Sequence, residues 1–308
     1  MRKLIRAMFA PALAAAAVVS VAASGGAGAR AGAGATRAEE VLKQARAAVG
    51  GEEKLRGVQG LAVKGKFRRV VAEREMSGER EFEFQLPDKF VRSESFQPGG
   101  MTTAINSSQV LSGAESWTSG RGGGVIFMRG DGREPTPEEK ERAQRASTRR
   151  LREEMARYLL ALLAAPPAGF PVEFAYAGEA TADDGSADVI DATGPEGFAA
   201  RLFLDKQTHL PLMLTYRAPK PRVFTMTMQP GKGGKSPEEM AKDAQEKAKA
   251  EKPEEVEMQW RFSDYRQVGG LMLPHRITSG PDGETTDEFE VKSYALNPQL
   301  KAEKFQKK

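Results

Sequence analysis

Apolar positions along the chain follow two periods, and the switches between them outline the architecture. Val41, Leu42, Ala45, Ala48 and Val49 recur at helical spacing. Thr36 and Glu39 stand in capping-box spacing ahead of them and Gly50–Gly51 behind, which predicts a helix over 37–49. Leu55 and Val58 suggest a short further turn of helix on the same core. From Leu61 the period becomes two. Leu61, Val63 and Phe67 alternate with small or basic residues, and Phe82, Phe84 and Leu86 with Glu81, Glu83 and Gln85. Such alternation belongs to half-buried antiparallel strands with one wet face. Shorter strands are expected near 89–96, 102–112 and 124–129.

Helical spacing returns over 137–164. Thr136 is placed to cap, Pro137 at the first helical position, and Glu139 completes the box. The first half of this helix is almost entirely polar. The second carries Leu151, Met155, Tyr158, Leu159 and Leu162 on one face, so only that half is expected in a core. Pro166 and Pro167 end it. Strands then resume over 172–178, 187–192, 198–205, 211–217 and 222–229. Leu-Pro marks three strand entries, Leu86-Pro87, Leu210-Pro211 and Leu273-Pro274, where a missing donor is tolerated. Residues 230–255 break the pattern with a Gly-, Lys- and Glu-rich stretch and a polar helix over 237–251. Strands return at 256–265, 271–279 and 285–295, followed by a basic tail at 301–308. About a dozen strands, two anchored helices and no βαβ alternation give an α+β fold with one large antiparallel sheet over 34–300.

The N-terminus changes how charge is read. Arg2, Lys3 and Arg6 precede an uncharged, alanine-rich run over 7–23, and small-residue Ala-x-Ala sites follow at 27–33. This is the layout of a secretory signal peptide, cleaved near 29–33, and the run is too short and too poor in leucine for a membrane anchor. The whole chain is formally +4. Residues 1–33 hold Arg2, Lys3, Arg6 and Arg30 and no acid, so the remainder is neutral. The basic balance is therefore no argument for nucleic acid. A periplasmic protein without a transmembrane segment is expected. With no cysteine, neither a lipid anchor at the cleavage site nor a disulfide framework is available.

Sites of known chemistry are hard to find. No nucleophile elbow, zinc helix or dinucleotide loop occurs in the mature part. His209 and His275 lack companions at ligand spacing, so no metal is expected. Gln229–Ser236 approaches a phosphate loop but lacks the first glycine and is followed by Pro237. No catalytic residue and no cofactor are assigned. Arg142, Arg145, Arg149, Arg150 and Arg152 interleave with acids, as on a salt-laced solvated helix face or, on a sharper reading, a docking surface.

Two apolar stripes flank the polar stretch: Phe224, Met226, Met228 and Met258, Trp260, Phe262. They could pair as a long hairpin and share one sheet face. Methionine suits a surface that fits varied apolar shapes, and an ordinary core is the alternative.

Four segments resemble outer-membrane lipoprotein-sorting proteins of the LolA/LolB/RseB-like superfamily: Phe262–Ile277, Leu202–Pro211 (with His209 where the family often has glycine), Leu86–Phe90, and Val49-Gly50-Gly51 before Leu55. The resemblance implies an incomplete, strongly curved barrel with helices over a concave apolar face. It implies no catalysis. It implies a periplasmic carrier of acyl chains, lipids or lipoproteins, or else a sensor or envelope-assembly module that binds a protein partner. The cavity is then expected to be lined by Phe224, Met226, Met228, Met258, Trp260 and Phe262, joined by Leu202, Leu204, Leu212 and Leu214, and closed by Leu159 and Leu162. The 230–255 insertion reads as a lid or a partner contact.

Overall fold

The computed structural model describes residues 27–71, 74–97, 104–120, 136–183, 185–220 and 254–307. The expected strands at 124–129 and 222–229, the helix at 237–251, the phosphate-loop near miss and residues 1–26 of the signal lie outside these.

Helix α1 runs Ala27–Val49 and α2 Glu52–Arg56. The first strands are β1 Gly60–Val71, β2 Arg74–Gln85, β3 Lys89–Phe96, β4 Ile105–Ser112 and β5 Glu115–Ser119. Helix α3 (Pro137–Leu163) separates them from β6 Glu173–Ala182, β7 Gly185–Thr193, β8 Ala199–Asp205, β9 Pro211–Pro219, β10 Glu255–Val268, β11 Leu271–Pro281 and β12 Asp287–Leu296. All twelve strands form one antiparallel sheet, ordered β5-β4-β3-β2-β1-β12-β11-β10-β9-β8-β7-β6. The last strand pairs with the first, which joins two meanders at the middle of the sheet, and among the described residues β5 and β6 are its outer strands.

The sheet is strongly curled. The rings of Phe82 on β2 and Trp260 on β10 each lie 4.5 Å from the ring of Tyr158 on α3. Their strands are four places apart in the sheet, about 19 Å if it were flat. The sheet must therefore wrap around α3. This explains the burial of that helix. Thr136 accepts from the Glu139 amide, and the Glu139 side chain accepts from the Thr136 amide, so the capping box forms with Pro137 just inside. The first turns are exposed, whereas Glu154–Leu163 is buried on every side. The expectation of one buried face is corrected: this stretch is apolar nearly all round, as a fully enclosed helix must be. Ala164 ends it in the left-handed conformation (φ 51°).

Helix α1 already runs from Ala27, ahead of the expected 37, so Thr36 lies inside it and not at its start. The Ala/Gly-rich stretch expected to hold the cleavage site thus forms its first turns, because alanine is a strong helix former whatever else it signals. Ala38, Val41, Leu42 and Ala45 bury the helix against the same core as α3. Strand β5, a short polar segment with only Trp117 as a large apolar residue, was not anticipated.

Pairing of β10 departs from expectation. Met258–Arg261 pairs with Tyr216–Met213 of β9 on one side and with Pro281–Thr278 of β11 on the other. Both edges of Met258–Arg261 are thus occupied, and the hairpin with 222–229 is not the pairing seen there. Leu273-Pro274 is not a strand entry either. Pro274 sits inside β11, opposite Tyr265, beyond the Arg276–Ser279 ladder with β12, so no bond to β12 is lost.

Candidate ligand-binding site

Inward-facing positions on four strands switch from rings to charges within two residues. Phe67 gives way to Arg69 on β1, Phe82 to Arg80 on β2, Phe90 to Arg92 and Glu94 on β3, and Phe289 to Asp287 on β12. The four phenylalanines are 2% exposed or less. Phe67 meets Phe96 edge-on, and Phe82, Phe90 and Phe289, with Phe84 and Tyr158, form a stacked and edge-on aromatic cluster. The charges form a network above it. Arg80 donates to both oxygens of Asp287 at 2.7 and 2.8 Å and through Nε to Glu94 at 2.8 Å. Arg69 donates to the same two carboxylates at 2.6 and 3.0 Å. Arg92 bridges Glu154 of α3 and Gln109 of β4, both at 2.7 Å.

Electrostatics follow from this crowding. Burial pushes the Asp287 and Glu94 carboxyls up, but Arg80 and Arg69 more than offset it and hold both below the usual carboxylate range. Arg80 is 5% exposed and its guanidinium sits 4.6 Å from the Phe67 ring centroid, so its cation is shared between carboxylates and a π face.

This network walls one side of an open cavity of about 1680 Å³. Its floor is aromatic: Tyr158, Trp260, Tyr216 and Phe82, with Met258 beside them. The rings of Trp260 and Tyr216 meet edge-on at 5.6 Å. Helix α3 contributes Arg149, Arg150, Glu153, Glu154 and Arg157 to the opposite wall. The guanidinium carbon of Arg157 lies over the Tyr216 ring, 4.1 Å from its centroid.

The twelve residues expected to line a cavity divide into four groups. Met258 and Trp260 line it. Leu159, Leu162, Leu202, Leu204, Leu214 and Phe262 are buried at 3% exposure or less inside the main core. They contribute to a packed interior. Leu212 is a correction: it is 39% exposed. Phe203 pairs with Met213 and Leu204 with Pro211, so Leu212 is the extra residue of a bulge and leaves the stripe that Leu214 follows. Phe224, Met226 and Met228 lie outside the described residues. The arginine–carboxylate walls were missed, since Arg80 and Asp287 are 207 positions apart.

The histidines stand on separate elements. His209 closes the β8–β9 turn with φ 57°, the conformation that glycine would supply. Asp205 accepts from the amides of Gln207 and Thr208 in that turn. His275 is buried in β11, its Nδ1 3.1 Å from the Leu273 carbonyl. No group of three or more metal-ligating side chains occurs among the described residues. The other segments read as motifs fall at junctions. Phe262–Ile277 is the β10–β11 hairpin, turning on Gly269 (φ 56°) and Gly270 (φ 85°). Leu86–Phe90 is the β2–β3 turn, and Gly50–Gly51 joins α1 to α2.

Fold and cavity together define an open, curled antiparallel half-barrel wrapped on a central helix. The chain is similar to the crystal structure of a LolA superfamily protein from Nitrosomonas europaea, with 11% identity over 88% of this chain and 97% of that one (TM-score 0.46). A putative outer membrane lipoprotein-sorting protein domain from Vibrio parahaemolyticus matches with the same identity, coverage and score. A DUF1329 family protein from Desulfovibrio piger matches at 11% identity over 87% and 97% (TM-score 0.41). No family model and no curated protein matches the sequence.

Proposed function

We propose that the protein is a periplasmic carrier of amphiphiles, the class that includes acyl chains, lipids and lipoproteins, and that it is not an enzyme. The observation that carries this reading is the cavity floor of Tyr158, Trp260 and Tyr216, with Met258 beside them, between α3 and the sheet. An apolar chain laid on that floor gains about 0.8 kcal/mol per buried methylene. The Leu and Phe residues of the core act here as support beneath the floor. The signal-like N-terminus supports export. None of the described helices is long and apolar enough to cross a membrane.

Native mass spectrometry of protein purified from periplasm without detergent, followed by solvent extraction, tests the reading. A bound mass that yields a lipid is expected. Met258→Arg, at a half-buried position on the cavity wall, is expected to lose that mass while keeping its fold by circular dichroism. An apo mass that persists after incubation with phospholipids and acylated peptides would overturn the reading.

A second reading has its own observation. Six of the expected lining residues are dry core, and the cavity walls are charged, as suits a sensor or assembly module that docks a polar partner. Retention of a protein partner by a lipid-free protein would favour it.

A further inference from the structure

From Met155 to Ala164 the sequence of α3 is apolar but for one charge, Arg157. The residue is 8% exposed and lines the cavity. Burying a cation there is costly unless every donor is met. One is not. Arg157 donates through Nη2 to Oε2 of Glu153 at 2.9 Å, while its buried Nε–H has no acceptor. The reason lies in Glu153. Its other oxygen, Oε1, faces Arg149 at 3.5 Å. One carboxylate is thus divided between two arginines, and the Nε–Nη2 edge of Arg157, which an undivided carboxylate could fill bidentately, is half filled. Three other cavity arginines differ. Arg80 and Arg69 have two carboxylates between them, and Arg92 has Glu154. Positive charge is in excess at Arg157 and Arg149.

We propose that Arg157 is the seat of an anionic oxygen head group, a phosphate or carboxylate, on the amphiphile whose chain lies on the aromatic floor. The anion takes the Nε–Nη2 edge, and Glu153 withdraws to Arg149, which is exposed and within reach. The Tyr216 ring, 4.1 Å from the guanidinium carbon, and the Phe198 ring, 5.3 Å from it, restrain the guanidinium. The exchange leaves both arginines paired and supplies the acceptor that Nε lacks. This assignment rests on the carrier reading, and the test separates the two.

Binding of three probes is measured by calorimetry below their aggregation thresholds: dodecyl phosphate, the neutral 1-dodecanoylglycerol, and inorganic phosphate. The wild type is expected to prefer dodecyl phosphate over the neutral probe by about ten-fold or more. Arg157→Gln is expected to abolish that preference. Glu153→Gln removes the competing carboxylate and is expected to tighten dodecyl phosphate several-fold. This gain keeps the proposal testable should Arg157→Gln not fold. Equal binding of the two dodecyl probes, or no gain in Glu153→Gln, overturns the head-group site while leaving the carrier reading intact. Displacement of dodecyl phosphate by an equal concentration of inorganic phosphate assigns the edge to free anions and overturns the amphiphile. Failure of both dodecyl probes to bind the wild type overturns the carrier reading, and the head group with it.

Discussion

Two levels of the same concave face have opposite chemistry. At one, Phe82 and Phe90 pack on Tyr158, with Phe289 edge-on to Phe82 and Phe67 against Arg80; at the other, two to four residues along the same strands, Arg69, Arg80, Glu94 and Asp287 interlock beside Arg92. Strand geometry does not distinguish them, since both sets point inward at period two. Position relative to the cavity does: Phe67, Phe90 and Phe289 lie in the closed core, Phe82 and Tyr158 where core and cavity meet, and the charged level lines the cavity. A hydrophobic interior of this size does not need buried ion pairs for stability, because well-packed apolar groups would serve as well or better. Under the carrier reading proposed above, their presence along the cavity is a polar surface kept for what enters.

The largest effect expected is from Arg80→Ala, which leaves Asp287 and Glu94 desolvated beside a single arginine. It should cost roughly 3–5 kcal/mol in urea unfolding. The double variant Arg80→Met/Asp287→Leu should cost much less, since Arg69 and Glu94 remain paired at 3.0 Å. A double variant as unstable as the single would show that the charged level is a structural requirement, and the contrast between the two levels would collapse.

Acid should weaken the charged level alone. Asp287 and Glu94 have folded pKa values depressed by Arg80 and Arg69, despite the opposing effect of burial. A depressed carboxylate contributes stability that is fully present above its unfolded pKa of about 4 and is lost as pH falls through the folded value. The urea midpoint should therefore hold near neutrality and drop below about pH 4. Arg80→Met/Asp287→Leu should show a shallower acid limb; an unchanged limb would place the titrating groups elsewhere.

The smallest effect lies away from both levels. His209 adopts φ 57° without glycine's freedom, so His209→Gly should stabilise by up to about 1 kcal/mol. A loss would mean that the imidazole beside Asp205 contributes more than the strain costs.

Local chemistry made much of this legible. The Thr136–Glu139 box, the strand at 89–96 and the polar-to-apolar change along α3 follow from neighbours within a turn or two. What depends on distant pairing was hidden. Leu212 looks like part of the Leu214 stripe until β8 is laid beside it and one residue is squeezed out. Phe262 looks like a lining residue until the sheet curls and closes over it. Arg69, Arg80 and Asp287 read as the wet face of ordinary strands, because nothing in sequence brings β1, β2 and β12 together. The resemblance of the junction segments supplied the curvature that periodicity could not.

The unclosed sheet has a mechanical consequence. A barrel's radius is set by strand number and shear, and changing it means breaking ladder bonds. Here β5 and β6 are not joined, so girth is a soft coordinate. A small change in twist at each interface, well within the range that strand pairs normally span, accumulates from one outer strand to the other without a ladder hydrogen bond being lost. Helix α3, touching β2 and β10 through one tyrosine, is the mandrel on which that winding tightens or relaxes. Such compliance would let one sequence grip contents of different bulk.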